Sequence, residues 1–270
     1  MNRQASLPRR PLTIGELLDA AAGLVRRRAI WLLTAAAALA ALEQAVLHPL
    51  RVASGVDLID GFQSGFWETF GGLWVSTAIG FGFEAFIITM LGPWAGQIAA
   101  ADLTGTWARP RFRFAVLLTA PVAGIATAVG AFLGPLWVLG YTLFGLSGAV
   151  IGVERRGPFG ALGRAVSLAF PAAMRVTGAR LLGYLAWLLL RLGFTVGVLS
   201  LFEYLPVGQI GVFWVLTIGF VVANAAAYAF LAALDAAALI EVRFRTEGLD
   251  IWLARAERHA PLTAGSLAGR

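Results

Sequence analysis

Long apolar stretches alternate with short polar connections along the 270-residue chain. A helix that crosses a membrane needs about 20 predominantly apolar residues. Six segments reach that length, and the pattern predicts six transmembrane helices at about 29–50, 70–100, 112–133, 135–153, 179–201 and 209–240. The predicted fold is therefore all-α, a polytopic membrane helix bundle with its membrane domain at 29–240.

The arginines fall on alternate connections. The chain has 21 arginines and no lysine, and segments 1–28, 103–113, 154–180 and 241–270 together carry 19 of them. Cytoplasmic connections of membrane proteins are enriched in positive residues. We therefore expect a bacterial cytoplasmic-membrane protein with a cytoplasmic N-terminal segment 1–28 and a cytoplasmic tail 241–270, while Asp60 and Glu203 face outward.

Amphipathic segments lie beside the predicted spans. Thr13 and Glu16 have the spacing of a capping box, in which each residue satisfies a backbone donor near the other. Apolar residues then recur at helical spacing up to Arg26. We predict interfacial amphipathic helices at about 13–28, 160–174 and 249–258, with Pro171 kinking or interrupting the second. Packing of the first helix against other cytoplasmic segments is the alternative.

A weak internal repeat is suggested by matching positions. Segment 158–178 resembles the first amphipathic helix, with Arg175 lying 148 residues after Arg27. The long spans end at Asp102 and Glu241, which are 139 residues apart. The interpretation is a parallel repeat about the membrane normal, with 112–153 inserted between the copies. Chance similarity among alanine- and leucine-rich helices is the alternative.

Pairs of glycines four residues apart allow helices to approach closely in lipid. The chain carries three such pairs in its spans: Gly92/Gly96, Gly148/Gly152 and Gly193/Gly197. They favour a compact bundle without indicating which helices meet.

Four polar residues are predicted to lie near the middle of the membrane: Glu43, Glu84, Arg191 and Asn224. Ionisable groups inside spans are costly and commonly functional. One hypothesis is a polar site, or a proton or ion path, between the repeats. The other is a buried Arg191–carboxylate pair that fixes helix packing, with Glu43 as the first candidate partner and Glu84 as the second. Asp235 lies nearer the inner end, where it could snorkel or meet an arginine.

The sequence lacks the motifs of several kinds of binding and catalytic site. The chain has no cysteine and only two histidines, far apart, so we expect no metal site and no cofactor. Without lysine there is no phosphate-binding P-loop, and no zinc-protease or nucleophile-elbow motif occurs. The net charge of +6 lies at the inner ends of spans, which favours lipid phosphates over nucleic acid.

Both ends of the chain resemble a known bacterial family. The stretches Arg10-Pro11-Leu12-Thr13-Ile14-Gly15-Glu16-Leu17 and Leu239-Ile240-Glu241-Val242-Arg243-Phe244-Arg245-Thr246-Glu247-Gly248-Leu249-Asp250 are similar to the start and end of the glycerophosphoryl diester phosphodiesterase membrane-domain family. The resemblance implies a stand-alone six-span module. In some relatives that module is fused to a catalytic barrel, for which these 270 residues leave no room.

The functional expectation is a non-catalytic membrane module that scaffolds or assembles with partners. Candidate partners are other membrane proteins or further copies of the chain. The same module is expected to contact anionic headgroups of the inner leaflet through arginines at its inner face: Arg26, Arg27, Arg28, Arg243 and Arg245. The alternative is a transporter or channel for a small solute or ion that uses the mid-membrane polar residues. A water-filled cavity at those residues would favour transport, and a dry bundle would favour scaffolding.

Overall fold

The computed structural model describes residues 7–53, 56–57, 61–62, 66–107, 109–202, 204 and 209–268. Helices dominate this part of the chain, as predicted. Two two-residue strands, β1 (Val56–Asp57) and β2 (Gly61–Phe62), pair in antiparallel fashion. The helices are α1 (Ile14–Arg27), α2 (Ala29–Ala53), α3 (Phe66–Leu103), α4 (Val116–Phe132), α5 (Trp137–Phe144), α6 (Ser147–Glu154), α7 (Pro158–Phe202), α8 (Gln209–Glu247) and α9 (Leu249–Glu257), followed by a 3-10 turn, Ala264–Leu267.

Five helical segments are long and apolar enough to cross a membrane. They lie in α2, α3, the combined α5–α6 segment, α7 and α8. The predicted span 112–133 corresponds to α4, an apolar helix of 17 residues that is shorter than the other five. The predicted span 135–153 is divided, because α5 ends at Phe144 and α6 starts at Ser147. The length and composition of these helices are those of an integral membrane protein.

Helix α1 begins at the predicted capping box. The Glu16 amide donates to Thr13 Oγ1 at 3.3 Å, and the Thr13 amide donates to Glu16 Oε2 at 2.8 Å. Leu17 and Leu24 are fully buried, and α1 packs against α8. The alternative of packing against the protein therefore describes α1 better than a helix lying freely in the interface. Helix α9 is similar, because Leu249 and Leu253 are buried.

The segment 160–174 does not form a separate interfacial helix. Helix α7 is continuous from Pro158 to Phe202 and includes Pro171, so Pro171 does not interrupt the helix, while a kink there stays a prediction. A proline removes one backbone hydrogen bond, and the turns on either side can still carry the helix. One helix of 45 residues thus carries Arg164, Arg180 and Arg191.

Two of the three predicted glycine pairs pack against each other. A methyl group at Gly92 would lie 2.7 Å from the Gly148 backbone, and one at Gly152 would lie 2.5 Å from the Pro93 carbonyl oxygen. Helices α3 and α6 therefore approach at backbone contact distance. The third pair differs, because nothing lies within 4 Å of a methyl group at Gly193 or Gly197.

The inner half of α8 is the centre of the bundle. Alanines follow one another between Ala225 and Ala238, and nearly all the residues from Tyr228 to Val242 are buried. Small side chains let α1, α2, α3 and α7 all contact this one helix. Gly248, at φ +60°, then turns the chain into α9 through a left-handed conformation that suits glycine.

Candidate functional site

Arg191 of α7 pairs with Glu84 of α3. Its Nη1 atom contacts Glu84 Oε1, and the Tyr184 hydroxyl donates to the other carboxylate oxygen at 2.5 Å. Glu84 is 8% exposed, and the side chain of Arg191 is 14% exposed. The carboxylate thus has one charged and one neutral donor inside the bundle. The second-choice partner from the sequence is the observed one.

Glu43 of α2, the first choice, has neutral partners instead. Both carboxylate oxygens accept from the Tyr228 hydroxyl at 2.8 Å, and Asn224 Nδ2 donates to Oε2 at 3.1 Å. Glu43 and Asn224 are 2% and 3% exposed, so this site is closed to solvent. Tyr228 joins the two parts of the cluster, because the Arg191 guanidinium carbon lies 5.9 Å from its ring centroid. All four predicted residues therefore belong to one buried network.

A second buried charge site lies where the α5–α6 segment is divided. Arg180 Nε lies 2.6 Å from Asp235 Oδ1, and Nη2 donates to Oδ2 at 3.2 Å. Nη1 donates to the Tyr141 carbonyl at 2.6 Å, and the guanidinium lies 3.9 Å from the Tyr141 ring centroid. Arg180 and Asp235 are each 1% exposed. The Tyr141 carbonyl, which also accepts from the Gly145 amide at 3.1 Å, thus binds a buried arginine next to the break in the helix.

Sequence reasoning had assigned Arg180 to the arginines of a cytoplasmic connection. The expectation that Asp235 meets an arginine is correct. The available signal was the position of Arg180, which has apolar neighbours on its C-terminal side and lies 55 residues before Asp235. The position of Arg180 in the sequence did not, however, show that α7 continues through Pro171 and carries Arg180 into the bundle.

Carboxylates engage most of the arginines proposed as lipid contacts. Arg243 is 1% exposed and lies 2.9 Å from Glu247 and 3.6 Å from Glu154, so its assignment to lipid headgroups is corrected. Arg245 contacts Glu241 and also donates to the Leu12 carbonyl at 3.2 Å. These pairs tie α8 to the N-terminal segment and to α6.

Two further pairs occupy matching positions near the ends of long helices. Arg27 lies 2.5 Å from Asp102, at the end of α3, and Arg175 lies 4.0 Å from Glu241, near the end of α8. Arg27 and Arg175 are equivalent positions of the predicted repeat, and each contacts an acidic residue near the end of a long helix that follows it in the chain. Asp102 also accepts from the Leu7 amide at 2.9 Å, which anchors the N-terminal segment.

Exposed aromatic residues and arginines are interleaved after α3. Trp107, Phe112 and Phe114 are 68%, 43% and 78% exposed. Arg109 and Arg111 between them are exposed as well. Arg28 stacks on this surface, with its guanidinium carbon 3.2 Å from the Trp107 ring centroid. We call Arg28, Trp107, Arg109, Arg111, Phe112 and Phe114 the aromatic–arginine surface.

This surface has a fixed backbone. Gln97 of α3 donates to the Arg111 carbonyl at 2.8 Å and accepts from the Arg111 amide at 2.9 Å. The rings of Phe112 and Phe114 meet edge to face, with centroids 5.3 Å apart. Of the arginines predicted at the inner face, only Arg28 belongs to this surface. Arg26 is exposed at the end of α1.

A cavity of about 250 Å³ opens at the other end of α3 and α4, between Trp74, Phe81 and Trp137. Phe81 and Trp137 stack at 4.8 Å, and both contact Tyr184, whose hydroxyl binds Glu84. The lining is almost entirely apolar. Among the residues described, no group of three or more histidine, cysteine or acidic side chains is arranged to hold a metal ion.

Comparison of the chain with models of protein families, with curated proteins and with solved structures found no match.

Proposed function

We propose that the protein is a non-catalytic, six-span membrane module that binds anionic lipid headgroups at its cytoplasmic face. The single observation that carries this proposal is the aromatic–arginine surface. Exposed tryptophan and phenylalanine rings partition favourably into a membrane interface. Each arginine near an anionic leaflet adds roughly 1 kcal/mol of attraction. The aromatic–arginine surface is therefore more stable in contact with anionic phospholipid than in contact with water.

The six-span topology includes α4. Its 17 residues have a length of about 26 Å at 1.5 Å per residue, near the lower limit for a span. Gly134, at φ +94°, allows the tight connection from α4 towards α5. Both termini and the aromatic–arginine surface then lie on the cytoplasmic side.

The two-copy organisation is supported by reciprocal contacts. Glu43 of the first copy binds Asn224 of the second, and Arg191 of the second copy binds Glu84 of the first. Glu43 and Arg191 are 148 residues apart, and Glu84 and Asn224 are 140 apart. A two-fold axis that relates the two copies would produce both contacts, because it exchanges Glu43 with Arg191 and Glu84 with Asn224. The Arg27–Asp102 and Arg175–Glu241 pairs are the corresponding contacts within each copy.

The partner surface that we propose is the outer part of α7. No residue from Leu185 to Phe202 is buried, and the Gly193/Gly197 pair has open space around it. A small-residue pair on an exposed helix favours close helix–helix contact in lipid. We propose that a second copy of the chain packs there. Disulfide formation by Gly193→Cys in membranes tests this contact, with Val222→Cys on the exposed face of α8 as control, since the native chain has no cysteine.

Native mass spectrometry of lipid retained by the purified protein tests the headgroup proposal. The wild type should retain phosphatidylglycerol in preference to phosphatidylcholine, and Arg109→Gln/Arg111→Gln should lose much of that preference. The control is Arg255→Gln/Arg258→Gln, which removes the same charge from an exposed part of the C-terminal region. An equal loss of the preference for phosphatidylglycerol in both variants would show that net charge alone causes it. That result would overturn the assignment of headgroup binding to the aromatic–arginine surface.

A further inference from the structure

Glu43 differs from the other carboxylates of the membrane helices. Glu84 contacts Arg191 and Asp235 contacts Arg180, so each has a guanidinium partner. Glu43 accepts only from Tyr228 and Asn224, which are neutral donors. Within the described ranges no arginine, histidine or lysine lies at ion-pair distance from it. A buried carboxylate without a cation strongly disfavours its charged form.

The titratable groups around Glu43 come from several elements. Glu84 lies on α3 and Arg191 on α7, while Tyr228 is on α8. Arg51 of α2 donates to Gln44 at 3.3 Å, and Arg27 at the end of α1 pairs with Asp102. The short strand β1, which also contacts α2, carries Asp57. In the buried network the two carboxylates therefore share one guanidinium, and one bound proton makes the group neutral.

The proton belongs on Glu43. Glu84 has Arg191 to balance its charge and Tyr184 to satisfy its second oxygen. Asn224 supplies independent support, because within the described structure its Oδ1 atom is buried without a hydrogen-bond partner. Nδ2 of the same amide already donates to Glu43. A protonated Glu43 can donate its O–H to Oδ1 after a small rotation, which completes the two-bond ring of a carboxylic acid and an amide.

We propose that Glu43 is a reversible proton-binding site inside the bundle, and that Arg191 responds to its occupancy. The Nε and Nη2 atoms of Arg191 are buried and have no partner in the described part of the chain. The guanidinium stands over the face of Tyr228, whose hydroxyl binds Glu43. When a local opening of the bundle lets Glu43 release its proton to bulk water, the negative charge left on Glu43 attracts these atoms. This charge shifts Arg191 from Glu84 towards a position shared by both carboxylates.

Infrared spectroscopy of the full chain in lipid nanodiscs tests the proposal, because a protonated carboxyl group has its own C=O stretching band. Wild-type protein at neutral pH should show a buried carboxylic-acid band that disappears as the pH is raised. Glu43→Gln should abolish the band. Glu257→Gln, at an exposed carboxylate, should leave it unchanged.

Glu84→Gln gives a second, less obvious expectation. It leaves Arg191 without its carboxylate, so Arg191 should pair with Glu43, and the acid band should vanish although Glu43 is intact. Asn224→Val should shift the band without removing it, which keeps the assignment testable if Glu43→Gln does not fold. Absence of the band from wild type at neutral pH, its persistence in Glu43→Gln, or an unshifted band in Asn224→Val would each overturn the proposal.

Discussion

The Arg180 guanidinium occupies the space that a side chain at Gly145 would need. A methyl group at Gly145 would overlap the Arg180 Nη2 atom, which donates to Asp235. The buried ion pair therefore depends on the missing side chain at Gly145, between α5 and α6. The glycine admits the guanidinium, and the guanidinium binds the Tyr141 carbonyl one turn before the break.

Gly145→Ala should consequently destabilise the bundle more than an ordinary glycine replacement. Displacing Arg180 leaves Asp235 as an uncompensated buried charge, which costs on the order of 3–5 kcal/mol. The free energy of unfolding in mixed micelles measures the loss. Gly163→Ala is the matched control, since it lies in a helix with nothing within 4 Å, and it should be neutral or slightly stabilising. Equal effects of the two variants would refute the dependence.

Arg191→Ala should lower the free energy of unfolding by about 3–5 kcal/mol, because Glu84 then remains buried without its cation. Adding Glu84→Gln should restore part of the stability, whereas adding Glu43→Gln should not. A double-mutant cycle on unfolding free energies distinguishes the partners. Rescue by Glu43→Gln alone would show that the pairing was assigned to the wrong carboxylate.

Gly148→Ala should separate α3 from α6, because its methyl group would overlap the Thr89 carbonyl oxygen. Overpacking of this kind costs about 1–3 kcal/mol. The same measurement on Gly178→Ala, where nothing lies within 4 Å of a methyl group, should give little change or a slight gain, since alanine favours a helix more than glycine does. A similar loss in both variants would mean that the contact between α3 and α6 does not set the cost.

The N-terminal capping box should weaken on acidification. The hydrogen bond from Arg10, together with those from Thr13, lowers the pKa of Glu16 to about 2. A carboxylate with a lowered pKa contributes its stability above its ordinary value near 4.5 and loses it as the pH falls towards 2. The protection of the first-turn amides of α1 against hydrogen exchange, measured relative to the intrinsic exchange rate at each pH, should therefore fall across that range. In Glu16→Gln, this protection should already be lower at neutral pH and should change little with pH.

The proposed orientation is open to single-cysteine labelling in intact cells. Cysteines near Arg27, Arg111, Arg156 and Arg255 should be protected from a membrane-impermeant reagent, whereas cysteines at Asp60 and Glu203 should react. Asp60 and Glu203 lie outside the described residues, so this experiment adds information that the helices do not carry. Labelling of Asp60→Cys only from the cytoplasmic side would reverse the topology.

Depth along a helix could be predicted from the sequence, but direction around the helix could not. Counting residues placed Glu43, Glu84, Arg191 and Asn224 in one layer, and they do form one network. The count could not choose between two carboxylates at similar depth, because that choice depends on how α2, α3 and α7 are rotated. The capping box of α1 was predictable because both of its residues are local.

Longer-range features were harder to infer. Pro171 suggested a helix end, yet α7 continues, and this continuity carries Arg180 into the bundle towards Asp235. Arg243 looked like other arginines at a span end, but Glu154 and Glu247 enclose it. Asp235 and Glu154 lie on other helices than the arginines they contact, so no local pattern predicts these pairs, although Glu247 is within reach of Arg243 on α8 itself.

The central position of α8 has a consequence for biosynthesis. Translated after the other membrane helices, α8 brings the Tyr228 and Asn224 partners of Glu43 and the Asp235 partner of Arg180. Until α8 inserts, Glu43 on α2 lacks its hydrogen-bond donors and Arg180 on α7 lacks its carboxylate. The helices of the nascent chain therefore lack these buried contacts until translation is almost complete. We expect chains that end before residue 235 to be targets for membrane quality-control proteases.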